Sequence, residues 1–219
     1  MKKASYVVII LCAVLLNSAC NELKKLQFWD WFQNNEKMLY DFEHNQEHIF
    51  DLLSHQLSKV NPELTFEFGP IDENGRREFV ISAGGIKSAF PSVEALYKSA
   101  PDLKRWKLVK FRQRRSPLND ISFGGKLIKV EDVRYAMFED GEKVGIILFF
   151  EGYNKIEKNL FDNIGYLFLD EALGEYDMET KVGFVEFHDY NSGQYRKSKP
   201  LKVLSKSFDL YFRKRETRH

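Results

Sequence analysis

The chain has 219 residues, with 33 Lys plus Arg against 32 Asp plus Glu and a formal net charge of +1, a balance that names no partner. An aromatic content of 15%, with 19 Phe, and the lack of long Gly-, Ser- or Pro-rich stretches exclude a disordered or low-complexity chain. Only two cysteines occur, Cys12 and Cys20, so no disulfide can form after residue 20. The length supports a core that needs neither disulfide staples nor a cofactor, and none is expected.

The first twenty residues read as an address. Lys2-Lys3 precede an apolar run from Ala4 to Leu16, followed by Asn17-Ser18-Ala19-Cys20. A basic start, a short apolar core and small residues before a break form an export signal, and the apolar run is too short to span a bilayer comfortably. Its ending resembles the lipobox of bacterial lipoproteins, in which cleavage before a Cys leaves a thiol that receives diacylglycerol. Ser18, Ala19 and Cys20 match that pattern, whereas Asn17 stands where Leu is usual. The resemblance implies a signal peptide over 1–19, lipid attachment at Cys20 and residence in the bacterial cell envelope. Ordinary secretion after Ala19, with a secreted or periplasmic product, and an uncleaved anchor are the alternatives. A single Cys kept at the cleavage point favours the lipid. Loss of Lys2 and Lys3 would leave 31 positive against 32 negative residues.

Residues 20–27 are expected to form a tether, and 28–219 a single α+β domain. Phe28 to Val60 reads as a long helix with a candidate break at Asn34-Asn35, and Leu39, Phe42, Ile49, Leu53, Leu57 and Val60 share one face. Asn61-Pro62 stops it. Leu64–Phe68 and Arg77–Ser82 flank Asn74-Gly75 as a hairpin. A helix over Ser92–Ser99 and a strand over Arg105–Arg112 follow. Beyond the seam-like loop Gln113–Lys126, the order returns. Val133–Glu139 and Lys143–Phe150 flank Asp140-Gly141, a helix spans Ile156–Leu173, and Lys181–Phe187 is a strand. A last helix covers Leu201 to Phe212. The expected fold is therefore a long N-terminal helix, two β-β-α-β units over 64–112 and 133–187 with antiparallel or mixed sheet, and a C-terminal helix.

Several short stretches are similar to landmarks of an uncharacterised bacterial lipoprotein-like α+β family: Phe28-Trp29-Asp30-Trp31-Phe32, Ile81-Ser82-Ala83-Gly84-Gly85, Ala100-Pro101-x-Leu103-x-x-Trp106, Phe111-Arg112-x-Arg114 and Leu169-Asp170-x-x-Leu173-Gly174-Glu175. The resemblance covers most of residues 28–188. It implies a fold and supplies no chemistry.

Five constellations carry candidate function. His44-Asn45-Gln46-Glu47-His48 is a literal H-x-x-E-H, in which two His one turn apart bind zinc and the Glu activates water. On a continuous helix His44, His48, Asp51 and His55 would share the side opposite Phe42, Leu53 and Val60, facing water, and no third ligand is evident. The second is a basic run, with Lys104, Arg105, Lys107, Lys110, Arg112, Arg114 and Arg115 as candidate contacts for an anionic surface. An exported chain would meet phospholipid headgroups or an acidic protein there rather than nucleic acid. Alternatively these charges pair with Glu171, Glu175 or Asp177. The run Asp170 to Asp177 is a candidate carboxylate pair or a solvated helix end. Ser82-Ala83-Gly84-Gly85 is a tight turn or a weak anion cradle. The basic tail from Arg213 to His219 reads as a frayed terminus.

The sequence thus points to a lipid-anchored envelope protein acting as a binding or interaction module, with the membrane and a protein as partners. The reading leans away from an enzyme. One alternative is a zinc-dependent hydrolase using residues 44–48. The other is an immunity-type protein that neutralises a toxin.

Overall fold

The computed structural model describes residues 19–217, and the fold is α+β. The export signal read over residues 1–19 and the end of the basic tail lie largely outside the described residues. The chain divides into two compact units, Met1–Lys110 and Phe111–His219. The loop Gln113–Lys126, read as a seam, belongs to the second.

In the first unit, helix α1 occupies residues 19–34. The stretch expected as a tether is therefore helical. Asn21 to Gln27 contains no Gly or Pro and is rich in Lys, Leu, Glu and Gln, and Lys25 bonds Glu22 one turn back at 2.6 Å. The long helix expected to reach Val60 is instead a zigzag of α1, α2 (Glu36–Tyr40), a 3₁₀ turn (Phe42–Asn45) and α3 (Gln46–Val60). The breaks fall at Asn35, Asp41 and Asn45, residues whose short polar side chains compete with helical hydrogen bonding. Asn35 donates its side-chain amide to the Trp31 carbonyl at 2.8 Å, and Asn45 leaves the helical region altogether (φ −156, ψ 57).

Strand β1 (Thr65–Ile71) pairs antiparallel with β2 (Arg77–Ser82). The turn between them is tied by Asp72, whose Oδ1 accepts the amides of Asn74 and Arg76 at 2.9 Å, and by Gly75 at φ 73, a value that favours glycine. Helix α4 (Phe90–Lys98) then carries the chain to β3 (Trp106–Lys110), which lies parallel to β2 and gives the order β1-β2-β3. The expected strand Arg105–Arg112 is shortened because Phe111 adopts φ 61. The core is aromatic. Phe28, Trp29, Phe32, Phe79 and Trp106 are almost wholly buried, and the Phe32 ring lies 5.0 Å from those of both Phe79 and Trp106. Trp29 donates its indole N–H to the Leu96 carbonyl at 3.0 Å, which fixes the end of α4 against α1.

The second unit contains a short hairpin, β4 (Ile121–Phe123) and β5 (Lys126–Ile128), turned by Gly124 and Gly125. Strands β6 (Arg134–Asp140) and β7 (Lys143–Phe150) form the antiparallel hairpin expected around Asp140-Gly141. Helices α5 (Lys158–Leu173) and α6 (Glu175–Lys181) lead to β8 (Val182–Asp189), parallel to β7. A two-residue strand, β9 (Lys199–Pro200), closes the order β8-β7-β6-β9, and helix α7 (Leu204–Glu216) packs on one face. Both units thus wind as β-β-α-β, with the third strand parallel to the second and outside it, as the repeated order of elements predicts. Val144 to Phe150 are all buried, the continuous pattern of a strand covered on both faces. Helix α5 comes close to the sheet at Gly165, where a Cβ would meet the Phe187 ring at 2.0 Å.

Candidate binding groove and the basic run

The helix breaks of the first unit create a groove. Asn34, Asn35, Lys37, Met38, Asp41, His44, Asn45, His48 and Ile49 line an open cavity of about 480 Å³. Three amides, two imidazoles, a carboxylate and an ammonium therefore converge around apolar surface from Met38 and Ile49. That mixture suits recognition of a ligand with both hydrogen-bonding and apolar parts.

The H-x-x-E-H residues are placed in two different elements. His44 lies in the 3₁₀ turn, whereas Glu47 and His48 stand in the first turn of α3, beyond Asn45, whose backbone leaves the helical region. All three are exposed. His44 and His48 both line the groove, while Glu47 does not. Among the described residues no group of three or more His, Cys, Asp or Glu is disposed to hold a metal ion. The sequence reading missed Asn34, Lys37, Met38 and Asp41 as lining residues. Their signal was the recurrence of Asn and Asp inside an otherwise helical stretch, which breaks the helix and opens its concave side.

Beside His44 in the chain, Glu43 is held by the buried Arg77 of β2 at 2.6 Å. Glu43's own backbone N–H, and then Arg77, hold its carboxyl below the ordinary glutamate range. The Arg77 guanidinium also lies 4.6 Å from the Phe42 ring, so this one side chain holds two residues of the 3₁₀ turn that carries His44 to the sheet.

The basic run is occupied by partners within each unit. In the first, Lys104 bonds Asp102, Lys107 bonds Glu78 at 2.8 Å, Lys110 bonds Glu94 at 3.2 Å, and the Arg105 guanidinium sits 3.6 Å over the Tyr40 ring. In the second, Arg112 bonds Asp170 at 2.8 Å and Arg115 meets Glu171 at 3.6 Å. Arg114 has the densest set: Nε donates to the Leu173 carbonyl at 2.9 Å, and its two terminal nitrogens reach Asp209 at 2.8 Å and Asp177 at 2.5 Å. Burial works against the Arg114 charge, but Asp209 and Asp177 outweigh it and raise the guanidinium above its ordinary value. The fully buried Glu175 accepts the Arg112 amide, and its own amide donates to the Arg112 carbonyl, both at 3.0 Å. The Asp170–Asp177 run is thus the receptor for the arginines that follow Phe111. Gly174 permits this approach, because at φ 74 it brings the helix end within 3.1 Å of the Arg112 carbonyl, measured from where a Cβ would stand.

The Ser82–Gly85 segment is a turn tied by Gly84 N–H to Ser82 Oγ at 3.0 Å, with Gly84 and Gly85 at positive φ. Cys20 lies in the first described turn of α1 and is exposed. Leu23 and Leu26, on the same two turns, are also exposed, at 54% and 55%. Among the described residues no helix is long and apolar enough to cross a membrane. Compared with family models, with curated proteins and with solved structures, the chain gives no match.

Proposed function

We propose that this protein is a lipid-anchored binding module of the bacterial cell envelope, attached through Cys20 and receiving a segment of a protein partner in the groove of residues 34–49. The observation that carries the binding role is the convergence of Asn, His, Asp and Lys side chains around Met38 and Ile49 in one open cavity. Such a site offers hydrogen bonds that orient a bound segment and an apolar floor that supplies area. The anchor rests on the sequence around Cys20. It is supported by the exposure of that thiol and of Leu23 and Leu26 beside it, which would meet an acyl-chain boundary favourably.

A photo-crosslinking phenylalanine analogue at Met38, in the groove, is expected to capture a partner in intact cells on irradiation. The same analogue at Ser54, exposed on α3 and outside the groove, should not. The Met38 adduct should fall when His44 and His48 are both changed to Ala. Equal capture at both positions, or none at either, would contradict the groove as the binding site.

A further inference from the structure

A second cavity, of about 130 Å³, lies in the second unit and has a different chemistry. It is lined by β6 from Tyr135 to Phe138, by Lys197 and Lys199, and by Ser207 of α7. Its position follows from the topology. Strand β6 pairs with β7 along all seven residues, but with β9 only through Arg134 and Tyr135. From Ala136 onward no strand of the described residues covers the outer edge of β6, because the chain before β9 is coiled into the 3₁₀ turn Gly193–Lys197. The cavity lies along that edge, where backbone polar groups seek partners.

Tyr135 adds an independent observation. It is only 1% exposed, its ring belongs to the main core of the unit, and its buried hydroxyl has the Ser207 hydroxyl nearby but no partner in hydrogen-bonding geometry. A buried phenol left so is costly, and native structures seldom retain one without a use. Burial raises this phenol above its ordinary range, against a smaller opposing effect of the neighbouring Ser207 hydroxyl, so at neutral pH it keeps its proton and is a donor. Lys197 and Lys199 bring two ammonium groups to the same wall. Unlike Lys104, Lys107 and Lys110, they have no carboxylate partner among the described residues.

We propose that this cavity binds a small oxyanion, of the size of inorganic phosphate or a short carboxylate, held by Lys197, Lys199 and the hydroxyls of Ser207 and Tyr135. Every polar side chain on the wall can donate and none carries a negative charge, which matches an anionic, acceptor-rich ligand. The volume equals that of about four liquid waters, enough for such an ion and too little for a nucleotide. Tyr135 lines the cavity, and its O–H can rotate toward the ligand while the ring stays packed in the core. The site is independent of the groove in the first unit.

The test is calorimetry on the full chain in detergent, with inorganic phosphate and acetate as probes and chloride at matched ionic strength as control. Saturable binding of at least one probe is expected, weakened about tenfold or more by Tyr135→Phe and by Ser207→Ala, in line with the loss of a hydrogen bond to a charged group. Lys197→Ala with Lys199→Ala should abolish it, while Lys98→Ala with Lys104→Ala should leave it intact. Without the anion, Tyr135→Phe is expected to melt no lower than the parent, because it deletes an unpartnered hydroxyl. Absence of saturable binding in the parent, or binding untouched by Tyr135→Phe, would overturn the proposal. So would a lower melting temperature of Tyr135→Phe in anion-free buffer, since it would show that the hydroxyl already has a partner.

Discussion

Proline at Leu53 is expected to unfold the first unit. Leu53 lies in the middle of α3 and is completely buried. The substitution removes a helical hydrogen bond and clashes with the preceding turn, at a cost of about 3 kcal/mol or more. It also empties a packed site, which costs roughly 2–5 kcal/mol for a buried leucine. Together these approach the entire stability of a domain of ordinary size. Trp29, Trp31 and Trp106 are the three tryptophans of the chain, and all lie in this unit. Indole fluorescence during urea or thermal denaturation therefore reads this unit alone. The expected result is denatured-like emission in Leu53→Pro at room temperature, with Ser54→Ala, exposed on the same helix, melting as the parent does. A Leu53→Pro variant that keeps the parental emission and melting curve would show that α3 is not packed as described.

Arg114→Ala is expected to have the largest effect among surface-accessible charges of the second unit. The side chain is 28% exposed and joins the α5 carbonyl end at Leu173 to Asp177 of α6 and Asp209 of α7. Its loss removes three charge-assisted bonds and leaves two facing carboxylates, for a destabilisation of about 2–3 kcal/mol after allowing for solvent at the rim. Arg114→Lys should recover only part of this, because one ammonium cannot reproduce the planar fork. The measure is a chemical-denaturation midpoint followed by hydrogen exchange of the β7 amides, with Asp209→Asn completing a double-mutant cycle. A midpoint for Arg114→Ala within about 0.5 kcal/mol of the parent would remove the arginine clasp as a stabilising element.

The two hairpins and their crossover helices were legible because their signals are local. Asn74-Gly75 and Asp140-Gly141 set tight turns, and the flanking runs alternate or are wholly apolar, so β1-β2 and β6-β7 follow from turn chemistry and period. The zigzag of residues 19–60 was less legible. The apolar positions Leu39, Phe42, Ile49, Leu53 and Leu57 keep a helical spacing through the breaks, so periodicity reads one long helix where Asn35, Asp41 and Asn45 make three corners. The groove exists only because of those corners. The H-x-x-E-H pattern was visible in sequence, but its geometry depends on Asn45, whose backbone places His44 outside the helix that carries Glu47 and His48. For the basic run, sequence left open whether the charges face a partner or neighbouring carboxylates. Arg114 and Arg115 meet Asp177 and Glu171, acceptors named from sequence, whereas Asp209 lies 95 residues away and no local pattern points to it. Tyr135 stood in a predicted strand as one more aromatic. That its hydroxyl is buried without a partner depends on how α7 packs over β6, which no local sequence pattern shows.

Attachment through Cys20 is the central claim, and metabolic labelling tests it directly. The full-length protein, produced in a bacterial host fed labelled palmitate, should incorporate label and sediment with membranes. The Cys20→Ala form should be unlabelled, and should either leave the membrane fraction or persist as unprocessed precursor. An unlabelled wild-type protein found in the soluble fraction, with Cys20 as a free thiol, would contradict the anchor.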